Sequence, residues 1–76
     1  MENSFLYAAR KSKGYTQAQV ANEAKISVGG YTNIENGKRM PSVKAAKRIA
    51  KVLDIEWSKI FENNNRASHA RNLAQH

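Results

Sequence analysis

Two kinds of side chain in this sequence could do chemistry, and only one kind is arranged for it. His69 and His76 stand near the end of the chain with no Cys or paired carboxylate close by, and no Ser or Thr of the central stretch has a His partner. No acid–base or nucleophile constellation forms. Gly37-Lys38 hints at a phosphate loop, but that motif needs Gly at 32 and Ser or Thr at 39, where Thr32 and Arg39 stand. Neither catalysis, a metal nor a cofactor is expected. The other kind is cationic. Thirteen Lys and Arg face six Asp and Glu, a formal charge of +7. Lys38 and Arg39 are adjacent, and Lys44, Lys47, Arg48 and Lys51 follow with no acid among them. Such a balance calls for an anionic partner, nucleic acid first and an acidic membrane or protein second.

The chain that must position these cations has 76 residues, enough for one domain with a small core. An apolar content of 41% suits a globular unit, but the length cannot wall off a deep enzyme pocket. With no Cys, disulfides and thiolate metal sites are excluded. The apolar runs are too short to span a membrane. MENSFLYAARK lacks a basic lead and a long apolar core, so a secretion signal is not expected. The expected location is cytoplasmic, nucleoid-associated when bound.

The central elements lie between Thr16 and Gly37. Thr16 and Gln19 form a Thr-x-x-Gln capping box, and Val20, Ala21 and Ala24 follow on one helical face. Lys25-Ile26-Ser27 makes a bend, with Ile26 an apolar plug and Ser27 the cap of a second helix. That helix carries Tyr31 and Ile34 inward and stops at Asn36-Gly37. Two helices this short need a core supplied by the rest of the chain. A first helix is expected over 3–13, capped by Asn3 or Ser4 and ended by Gly14, with Phe5, Leu6 and Ala9 inward and Arg10 at the edge. After Met40-Pro41, Ser42 caps an amphipathic helix with Val43, Ala46, Ile49, Ala50 and Leu53 inward. A short helix over 55–61 closes the core with Ile60 and Phe61. The domain is expected over 1–62, and 63–76 as a tail, flexible or weakly helical around 67–74.

Thr16-Gln17, Val20-Ala21, Ile26-Ser27, Ile34-Glu35-Asn36-Gly37-Lys38-Arg39 and Pro41-Ser42 resemble the Cro/repressor-type (XRE-like) helix-turn-helix family. No one of these marks identifies it. In this order and spacing, over about residues 5–61, they do. The resemblance implies an all-α, five-helix, lambda-repressor-like domain that binds double-stranded DNA. It places Ser27, Val28, Gly29, Thr32 and Asn33 on a helix (about 28–36) reading the major groove, with Asn33 suited to adenine and Val28 to a thymine methyl. It implies phosphate contacts by Gln17, Asn36, Lys38 and Arg39, with Lys44 near enough to join them. It also implies a structural salt bridge between Arg10 and Glu35.

Two departures stand out. Long polar side chains often open the reading helix of this family, whereas Val28, Gly29 and Gly30 open this one. Hydrogen-bonded readout is then sparse, and shape readout gains weight. Lys25 stands where the family commonly has Gly, so a left-handed turn would strain it. A two-fold homodimer on half-sites one helical turn apart is expected, with Trp57, Ile60 and Phe61 as interface candidates. The functional expectation is a regulator of transcription, most simply a repressor occupying a promoter. The alternative is an antitoxin or other interaction module whose tail binds a partner protein. An RNA binder is disfavoured by the lack of stacking aromatics on the basic face.

Overall fold

The computed structural model describes residues 4–64. The Asn3 cap, both histidines and the tail from residue 65 on, including the helix expected around 67–74, lie outside the described residues. Five α-helices follow one another, with no strand among the described residues: α1 Ser4–Lys13, α2 Gln17–Ala24, α3 Val28–Glu35, α4 Val43–Leu53 and α5 Ser58–Asn64.

Hydroxyl caps start three of them. Thr16 Oγ1 accepts from the Gln19 N–H at 3.0 Å while Gln19 Oε1 accepts from the Thr16 N–H at 2.7 Å, a complete capping box. Ser27 Oγ accepts from the Gly30 N–H at 2.9 Å, and Ser42 Oγ from the Ala45 N–H at 3.0 Å. Each such cap contributes about 1 kcal/mol. The helix ends use left-handed residues. Gly14 (φ 76°) and Gly37 (φ 78°) take this conformation without penalty, but Lys25 (φ 62°) and Asp54 (φ 59°) do so against about 1–2 kcal/mol each.

Leu6, Val20, Ala21, Ala24, Tyr31, Ile34, Ala46, Ile49, Ala50, Leu53 and Ile60 form one buried core to which every helix contributes. α2 packs on α3 and α4, while α1 packs on α3, α4 and α5. Phe5, Ala9 and Ile26 are only half-buried against this core.

Two expectations need correction. Val43 is not inward but 50% exposed, because it opens α4 before that helix reaches the core; Ala46 is the first residue to arrive there. The last helix begins at Ser58 rather than Ile55. The Ile55 N–H is occupied in closing α4, donating to Ala50 O at 3.0 Å beside the left-handed Asp54. The chain leaves that turn through Glu56 and Trp57 before it can coil again.

Candidate nucleic-acid interface

Helix α3 has a tied back and a bare front. Its back carries Tyr31, Ile34 and Glu35, all buried. Glu35 is the centre. Arg10 Nε donates to Oε1 and Arg10 Nη2 to Oε2, both at 2.9 Å, in the paired geometry that suits a guanidinium to a carboxylate. Tyr31 OH donates to Oε1 at 2.8 Å and Gln17 Nε2 to Oε2 at 3.2 Å. Arg10 Nη1 donates to Tyr15 O at 2.8 Å, and the Tyr7 ring centroid lies 5.5 Å from the guanidinium carbon. One carboxylate thus joins α1, α2 and α3.

The electrostatics follow from this wiring. Burial pushes the Glu35 carboxyl upward, but the bonds from Arg10, Tyr31 and Gln17 and the Arg10 charge outweigh it, so the group is held below the usual carboxylate range. The bond to Glu35 raises Arg10 against its own desolvation. Burial, then the bond to the charged Glu35, pushes the Tyr31 phenol far up. At neutral pH the cluster is a closed ion pair with a neutral phenol.

The front of α3 and its flanks carry the other residues implied for DNA. Val28, Gly29 and Asn33 are exposed, and no hydrogen bond within the described residues engages the Asn33 amide. The Asn33 backbone carbonyl accepts from the N–H groups of Lys38 (2.9 Å) and Arg39 (3.2 Å), holding these cations close to the C-terminal end of α3. Both are exposed, as is Asn36 at the helix end. Ser27 is exposed; its oxygen caps α3, leaving its proton to donate outward. Half-buried Thr32 donates to Gln17 Oε1 at 3.0 Å, which leaves it an acceptor lone pair.

The Gln17 side chain is thus engaged at both ends, with its second Nε2 proton left over for an anion. Beside it, α2 offers an anion the N–H groups of Gln17 and Ala18, whereas that of Gln19 is held by Thr16. Arg39 shares a shallow cleft with Ser27, Gly30 and Ser42, where the starts of α3 and α4 converge. Lys44 is exposed in the first turn of α4. The α4 cations then divide: Lys47 Nζ sits 5.2 Å from the Trp57 ring centroid, and Arg48 and Lys51 line a separate groove with Glu23 and Lys25. Of the dimer candidates, Ile60 has no exposed surface and offers nothing to a second subunit. Trp57 and Phe61 stay half-buried, edge to face at 5.9 Å.

The bonds of Gln17, Thr32 and Tyr31 to and around Glu35 went unread in the sequence. One signal was available, since Tyr31 and Glu35 are four apart on one helix face. Among the described residues no group of acidic and imidazole side chains could hold a metal ion, and no helix is long and apolar enough to cross a membrane.

Two short helices meeting at a left-handed turn, the second tied from behind and bare in front, define a helix-turn-helix domain. A family model described as Helix-turn-helix matches residues 6–60. The chain belongs to this family, in its Cro/repressor (XRE) form. It is similar to YqaF of Bacillus subtilis strain 168, described as an uncharacterized HTH-type transcriptional regulator, with 43% identity over 63 residues and 83% of each chain covered. The domain is that of a DNA-binding regulator of transcription.

Proposed function

We propose that this regulator seats α3 in the major groove of an operator and represses by occupying a promoter. One observation carries the reading: the exposed front of α3, with Val28, Gly29 and Asn33 uncommitted to the fold, is flanked by exposed Lys38, Arg39 and Lys44. Asn33 serves an adenine edge, Val28 meets a thymine methyl, and Ser27 and Thr32 use their remaining donor and acceptor. The cations, Asn36, and Gln17 with its free side-chain proton and the first N–H groups of α2 hold phosphates. A single α3 covers few base pairs, so the operator is a pair of half-sites read by a two-fold dimer, to which Trp57 and Phe61 offer their exposed edges. Residues 1–62 form the binding domain, with α5 running on to Asn64, and the tail follows it. The protein acts in the cytoplasm on the nucleoid, without catalysis or cofactor.

The test is selection of binding sites from random duplex DNA at two salt concentrations. A palindrome with half-sites about one helical turn apart is expected. Recovery of only salt-sensitive, sequence-blind binding refutes the reading.

A further inference from the structure

Gly29 and Gly30 stand side by side at the start of α3, yet the fold has a use for only one of them. At Gly30 a Cβ would lie 2.8 Å from Ser27 Oγ, the atom that caps α3 through the Gly30 N–H. A side chain there displaces the cap. At Gly29 a Cβ would meet nothing within 4 Å, and the residue is exposed. Its φ is not positive, so no left-handed turn requires glycine either. Helix propensity disfavours Gly against Ala at such a position, and an eight-residue helix has little propensity to spare. The protein's own interior gives no reason for this glycine.

Its neighbours on the outer face supply one. Gly29 and Asn33 are four residues apart and so lie one above the other, with the Val28 side chain, 43% exposed, beside them. The bare backbone at Gly29 is thus a notch between an apolar contact and an amide. We infer that Gly29 is a specificity-determining position: the absence of a Cβ lets the first turn of α3 lie against the base edges, close enough for Val28 to touch a thymine methyl and Asn33 to reach its base. The inference rests on α3 being the groove-reading helix. A methyl at 29 would hold both side chains off the bases, while sequence-blind binding through the phosphates, which does not need α3 seated, would be unchanged.

The experiment compares wild type and Gly29→Ala in thermal melts and in binding to three duplexes: the selected operator, the operator with the A·T pairs under α3 exchanged, and random DNA. The variant is expected to melt no lower than wild type and at most about 4–8 °C higher, the gain that replacing a glycine inside a helix gives a domain this small. Its operator affinity is expected to fall about ten-fold or more, erasing most of the difference between operator and exchanged site, with random-DNA affinity unchanged. Undiminished operator affinity and discrimination overturn the inference. So does a lower melting temperature, which would give Gly29 an internal role. If the wild type itself prefers no site, the groove-reading proposal falls too, and the two failures are told apart.

Discussion

Arg10→Met tests the wiring behind α3. The guanidinium makes two bonds of 2.9 Å to Glu35 and one of 2.8 Å to Tyr15 O, and removing it strands a carboxylate that is only 4% exposed. Breaking a buried pair from one side costs about 3–5 kcal/mol. Tyr31 and Gln17 still donate to Glu35, which places the loss near the lower end of that range. A domain of this size holds about 4–11 kcal/mol in total, so the variant is expected to melt at least about 12 °C lower. Urea and thermal unfolding followed by circular dichroism read this directly. Adding Glu35→Gln removes the stranded charge but keeps an acceptor for the Tyr31 hydroxyl, so the double variant is expected to be more stable than Arg10→Met alone. A loss under about 1 kcal/mol for the single variant, or no recovery in the double, refutes the reasoning.

Stability is expected to form a plateau with two edges. Glu35 is held below its ordinary 4.5, so its contribution is present above that pH and lost as pH falls through the lower folded value. Tyr31 is raised above its ordinary 10.0, so its contribution is present below that pH and lost as pH rises toward the folded value. Urea midpoints across pH check both edges, and Tyr31→Phe should flatten the alkaline one. On DNA, Asn33→Ala is expected to weaken operator binding selectively. Lys38→Ala should weaken all duplexes alike and reduce the slope of log affinity against log salt by about one. Equal losses on operator and random DNA for both variants would refute that division.

What the sequence told, and what it withheld, follows from how far each interaction reaches along the chain. Thr16 and Gln19, Ser27 and Gly30, and Ser42 and Ala45 bond across three residues, within the span of a local motif. Helical spacing likewise marks Val20, Ala21, Ala24, Tyr31 and Ile34 as core. Arg10 and Glu35 are 25 residues apart, and the resemblance to a family, rather than any local pattern, brought them together. Nothing local announces that Gln17 turns its amide inward to Glu35 and Thr32, because a glutamine at a helix start reads as exposed. Val43 misled for the opposite reason: its place in the apolar stripe is right, but it stands a turn before the stripe meets anything. Periodicity runs Ile55 into the last helix because it does not register a left-handed residue such as Asp54.

The division between the two sides of α3 has a consequence for descent. Ser27 and Thr32 are bonded into the scaffold, so exchanging either disturbs a cap or the Glu35 cluster as well as any base it touches. Positions 28, 29 and 33 carry no such obligation in their side chains. Under the proposed groove reading, a lineage can re-address the protein to a new operator by drifting at these three positions while its fold stays under separate selection. The same three positions are where a designer wishing to redirect it would begin.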